Sequence, residues 1–245
     1  MISRWVRTLA ICISLAELVI LIMYYWPLVW SVPWFNLAHV DVAQYNKNYV
    51  SDLLFDDIAY RTLVSVLVAL QLCVCGVFAI QLNRQYVWRC VPVMALELFM
   101  LCVAWVGWVM VTSIYLDSDG RMTMGHVLGA GLFIAACGLY FVLIMVNVLV
   151  FYENHWSRRE WVVFCLAAFC FVLAVVTGCF FVASFFARQI QFGWMFEHAA
   201  FILFVAAQLW LFIVDGWLEQ DCAVQRHPPP SAIGSVRINK VVVGS

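Results

Sequence analysis

Charge is what this chain has least of. Lys and Arg together number 13, and Asp and Glu 14, which is 11% of 245 residues. A soluble domain carries about 25%. So few ions do not cover a water-facing surface of this size, and a soluble globular protein is excluded. The net charge of −1 lacks the basic footprint that nucleic-acid binding requires, so no nucleic-acid partner is expected. Cysteine pairs are missing from the predicted outer loops. Of the 10 cysteines, Cys12, Cys73, Cys75, Cys90, Cys102, Cys137, Cys165, Cys170 and Cys179 lie in or beside apolar runs, and Cys222 lies just past the last run. That excludes a disulfide-stapled ectodomain and reads as small apolar packing residues. Cys73-Val-Cys75 has no His at ligand spacing, so no metal is expected; no other cofactor is expected either.

What fills the chain is hydrophobic residues, 66% of the total. They fall into six continuous apolar runs, at about 8–30, 61–82, 93–116, 125–151, 161–187 and 194–218. About 20 apolar residues in a helix cross a bilayer core of about 30 Å. The runs do not alternate as barrel strands do, so they predict transmembrane helices. The fold class expected is all-α, a polytopic bundle of six transmembrane helices. The first run follows Arg4 and Arg7 and has no small-residue cleavage site before Trp26-Pro27, so it reads as a retained signal anchor. Residues 219–245, with Pro228-Pro229-Pro230, read as a disordered cytosolic tail.

Basic residues orient the bundle. Placing both termini in the cytosol puts Arg4, Arg7, Arg84, Arg89, Arg158, Arg159, Arg226, Arg237 and Lys240 on that side. Lys47, Arg61, Arg121 and Arg188 remain outside, a 9-to-4 split. Tyr24, Tyr25, Trp26 and Trp30 at one end of the first span, and Trp156, Trp161 and Trp217 at the other face, match an interfacial aromatic belt.

Ionisable residues inside spans are costly and mark candidate sites. Glu17 and Glu97 fall in the first and third spans and are expected in the cytosolic half at neighbouring depths, either as packing groups or as a headgroup contact or proton-linked pair. At the outer end, the fourth and sixth spans begin with His126 and with Arg188, Glu197 and His198. Two helix N-termini point there, which favours anions. His126, Arg188, Glu197 and His198 therefore form a candidate pocket for a phosphorylated lipid headgroup; the same residues would equally cap their helices or snorkel. Gln71, Asn147 and Gln208 are expected to hydrogen-bond between helices. Gly125, Gly129, Gly131, Ala135 and Gly138 give the fourth span a small-residue face, expected to pack centrally. No nucleophile with an adjacent base is visible. Catalysis stays open, and a binding or accessory role is favoured.

Three segments resemble a known family: Ala95-Leu-Glu97-Leu in the third span; the stretch Asp119 to Tyr140, with His126, Gly129, Ala130, Phe133 and Tyr140; and Met195-Phe-Glu197-His198 opening the sixth. Their order, spacing and membrane side resemble the six-span family of damage-regulated autophagy modulators, yeast Sfk membrane proteins and the GPI-anchor lipid-remodelling factor. His198 departs from the aromatic that follows the glutamate in the family. The resemblance covers about 160 residues. It implies lipid handling, with GPI-anchor lipid remodelling in Golgi or endoplasmic reticulum as the leading expectation. Membrane lipids, and a GPI-anchored lipid or protein, are the partners it implies. The alternatives are a regulatory or scaffolding protein of lysosome or plasma membrane, and a small proton-coupled transporter. It points to His126, Glu97 and Glu197 as positions of interest.

Overall fold

The computed structural model describes residues 4–31, 58–86, 91–114, 124–151, 156–186 and 193–226. Six helices run through them: α1 (Arg4–Ser31), α2 (Ile58–Tyr86), α3 (Val91–Ser113), α4 (Met124–Phe151), α5 (Arg158–Phe186) and α6 (Gly193–Arg226). Each is long and apolar enough to cross a membrane. A helix suits that setting because it satisfies the backbone internally where water is absent. The outward surface is apolar, with Leu9, Phe99, Val150 and Phe180 exposed, as lipid contact requires. The chain is a multi-pass membrane protein.

Helix α1 packs on α2 and α6, α2 on α3, α3 on α4, and α5 on α6, while α4 touches α6. Five helices thus form a ring, and α5 lies outside it on the α4–α6 seam, where the rings of Phe141, Phe171 and Phe204 pack against one another in tilted and edge-on pairs. The core runs down the middle through Phe78, Leu82, Tyr140, Phe141, Ile144 and Leu218. Arg4, Arg7, Arg158 and Arg159 gather where α1 and α5 begin, which we call the basic end. Arg7 bonds to Asp215, three residues before Leu218 closes the membrane span of α6, so the first helix starts beside the end of the last span.

Three expectations change. The central helix is α6, not the fourth span: 50% of its spanning window is buried, against 28–33% in the other five. The small-residue face of α4 splits in two. Gly129 meets α3, whereas Gly131 and Gly138 have nothing within 4 Å of a Cβ. The reason is lateral: α4 contacts α3 strongly and α6 only at the seam, so one side of it faces outward. Helix α6 also continues through Arg226, past the expected boundary at Leu218. The residues Glu219 to Arg226 are mostly good helix formers, and no proline intervenes before Pro228.

The start of α5 shows how local sequence sets a boundary. Ser157-Arg-Arg-Glu160 is a capping box: the Glu160 carboxylate accepts from the Ser157 backbone N–H at 2.9 Å and from its hydroxyl. Trp156 before the cap packs on Trp161 at 4.8 Å between centroids, the rings tilted, a hydrophobic staple. Arg159 lies 3.5 Å from the centroid of the Trp217 ring and ties this start to α6. Glu160→Ala is expected to lower unfolding free energy by about 1 kcal/mol, read by denaturation in mixed micelles. A change indistinguishable from zero would show that packing alone starts this helix.

Candidate functional site

One face of α4 carries Phe133, Cys137, Tyr140, Ile144 and Asn147, all buried. The spacing of 3 and 4 residues places them in one stripe turned to the core. At the basic end of this stripe sits Glu97, fully buried on α3. It lies about 9 Å along α3 from its start, at a rise of about 1.5 Å per residue. Asn83 of α2 donates to one carboxylate oxygen at 2.7 Å, and Asn147 of α4 donates to the other. Asn83 also donates to the Ala79 carbonyl at 2.8 Å, so both its N–H groups are used. Glu97 thereby joins α2, α3 and α4. About two turns towards the far end, Tyr140 donates its hydroxyl hydrogen to the Cys75 carbonyl at 2.8 Å.

The second polar node lies near mid-bundle. Gln71 of α2 donates from Nε2 to Ser14 of α1 at 3.1 Å and to Oε1 of Gln208 on α6 at 3.0 Å. This amide pins three helices together. Gln71, Asn147 and Gln208 all act between helices, as the sequence suggested.

Beside that node is a cavity of about 80 Å³. Its walls are apolar side chains from α1, α2, α3, α4 and α6, among them Leu21, Leu67, Phe133 and Phe204. Four lining residues bring polar groups: Glu17, Gln71, Trp108 and Gln208. Glu17 is 9% exposed and accepts no hydrogen bond among the described residues. Trp108 packs on Phe133 with the rings tilted and their centroids 5.2 Å apart, and both residues line the cavity. Glu17 stands about 20 Å along α1 from Arg4, deeper than the apolar run suggested, because the helix begins four residues earlier. Glu17 and Glu97 therefore occupy different sites: one faces a cavity, the other is bound by amides.

The outer-end residues are placed as follows. His126, in the first turn of α4, is buried and engages the backbone of α3 at Val111 and Ile114. There it serves the last carbonyls of α3, which have no partner inside their own helix. His198 is fully buried in α6, and its neighbour Glu197 is half-buried. Arg188 lies outside the described residues. Among the described residues the cavity is lined by none of His126, Glu197 or His198.

The chain matches no protein-family model, no curated protein and no solved structure. The resemblance to the six-span family rests on its three sequence segments alone.

Reading the sequence missed two parts of this interior. Asp215 lies three residues inside the last span and pairs with Arg7, whose side chain is 9% exposed while that of Asp215 is fully buried. The signal was present as one acid and one base at the same depth of two spans. The second is Trp108: an indole in an apolar run reads as packing, whereas its Nε1 is buried without a hydrogen-bond partner among the described residues.

Proposed function

We propose that this multi-pass membrane protein handles a membrane lipid by binding it, within GPI-anchor lipid remodelling of the Golgi or endoplasmic reticulum. The observation that carries the binding part is the cavity of about 80 Å³, apolar except for Glu17, Gln71, Trp108 and Gln208. A carboxyl group held inside an apolar bundle with no hydrogen-bond partner among the described residues is costly unless something else uses it. Concave, mostly apolar sites with a few convergent polar groups are the usual form of a small-molecule site. The GPI-anchor part and the compartment come from the sequence resemblance. The role proposed is an accessory one, the reading the sequence favours.

Deleting the protein from cells is expected to lower surface levels of GPI-anchored proteins and to change the lipid composition of their anchors, read by mass spectrometry. Wild-type chain restores both, and Glu17→Leu, expressed to the same level, does not. Unchanged anchor lipids after deletion would refute the GPI-anchor part. A tagged copy found on lysosomes or at the plasma membrane would move the reading to the regulatory alternative. A proton-coupled carrier is less well supported. It would need Glu97 free to exchange protons, and two amide donors hold that carboxylate.

A further inference from the structure

Three helices each leave a polar atom uncommitted at the same cavity. Trp108 Nε1 on α3 and Gln71 Oε1 on α2 are buried with no hydrogen-bond partner among the described residues; each residue is 5% exposed. The Glu17 carboxyl group on α1 is the third, and all three residues line the cavity. Gln208, on a fourth wall, has its Oε1 occupied by Gln71. N–H donors, the Trp108 indole and the Gln208 amide nitrogen, thus line one apolar space together with the acceptor groups of Gln71 and Glu17.

The chemistry of the missing partner follows by matching. It must accept from the indole N–H and donate to an amide or carboxyl oxygen. An ammonium only donates and leaves Trp108 bare. A phosphate or carboxylate only accepts and meets the oxygens of Gln71 and Glu17. A ketone or ester carbonyl cannot serve the oxygens. A hydroxyl does both. Water does so too, but a space of about 80 Å³ takes two or three waters at about 30 Å³ each, and each wants about three polar partners. The polar atoms present suit one hydroxyl, and the remaining wall suits carbon. The lining residues Ile20, Val64, Leu67 and Phe201 are only partly buried, so the cavity is reached from outside at the far half of the bundle.

We infer that this cavity takes the hydroxyl end of an apolar alcohol dissolved in the bilayer, with Trp108 donating to the hydroxyl oxygen and Gln71 or Glu17 accepting its hydrogen. The inference rests on the lipid-binding reading above and names the headgroup chemistry of that ligand.

The test uses the full chain in lipid nanodiscs and compares 1-dodecanol, dodecane and dodecylamine at equal mole fraction. Binding is read by the shift in thermal unfolding midpoint and by titration. Dodecanol is expected to raise the midpoint and dodecane to leave it unchanged. Trp108→Phe keeps the ring and removes the N–H, and is expected to weaken dodecanol roughly tenfold, the effect of one hydrogen bond. Gln71→Leu should weaken it at least as much; because Gln71 also ties α1 to α6, Trp108→Phe is the deciding variant. Equal shifts from dodecane and dodecanol would overturn the hydroxyl inference and leave a plain lipid site standing. A preference for dodecylamine that disappears in Glu17→Gln would overturn it in favour of a cationic ligand. No shift with any of the three would overturn both the inference and the lipid-binding reading, and leave a water-filled cavity.

Discussion

Asp215→Asn is expected to lower the unfolding free energy by about 3–5 kcal/mol, because it leaves a guanidinium buried without its counter-charge. Arg7 donates to a single Asp215 oxygen from Nε at 3.2 Å and Nη2 at 3.1 Å. The Asp215 side chain is fully buried, so water cannot take over when the charge goes. Arg7→Lys is expected to lose most of the same energy, since a lysine ammonium cannot reproduce a two-nitrogen approach from a planar group. The pair Arg7→Met with Asp215→Leu should recover much of the loss, since a well-packed apolar pair often equals or exceeds a buried ion pair. Denaturation in mixed micelles measures all four chains. Single changes below about 1 kcal/mol, the range of an exposed pair, would show that the bridge is solvated. Gly216 belongs to the same contact: a Cβ there would stand 2.9 Å from Arg7 Cδ, so the residue after Asp215 makes room for the arginine.

Gly107→Val is the second large effect. A Cβ on Gly107 would lie 2.5 Å from the Phe133 backbone nitrogen and 2.7 Å from the Gly129 carbonyl oxygen. Those are backbone atoms of α4, so no side chain can swing aside, and the two helices must part. Across the contact, a Cβ on Gly129 would meet Met110 Cβ at 2.6 Å. Overpacking of this kind costs about 1–3 kcal/mol, and a valine between two backbones belongs at about 3. Gly131→Ala is the matched control on α4. Nothing stands within 4 Å of a Cβ there, so it is expected to be neutral or to stabilise by up to about 1 kcal/mol through helix propensity. The two measured side by side separate close helix approach from propensity. Equal effects would mean that α3 and α4 do not meet at Gly107. Parting these helices also moves Trp108 and Phe133, both in the cavity wall, so Gly107→Val should weaken binding there as well.

Much of the architecture was legible because hydropathy is a local sum. Each helix crosses about 30 Å of hydrocarbon on its own residues, and twenty neighbours suffice to say so. The helix limits agree with the apolar runs to within a few residues except at the close of α6, where polar helix formers carry the helix on to Arg226. Gln71, Asn147 and Gln208 were also legible, because an amide inside an apolar run has to find a partner across a helix boundary.

Which partner each found was not legible. Glu17 and Glu97 look alike in sequence: each is a lone acid in an apolar span. Only the packing of α2 and α4 around α3 brings two amides to Glu97, and only the ring of five helices leaves a space in front of Glu17. Arg7 reads as one more basic residue that orients the chain until α6 returns and sets Asp215 against it. The sequence alone determined that this is a membrane protein of six helices, and which few residues are polar within them. The tertiary structure decided which of those polar groups are consumed in holding the bundle together and which face a cavity. Depth in a bilayer depends on neighbours along the chain, whereas pairing depends on the register and rotation of helices as many as 208 residues apart, as between Arg7 and Asp215.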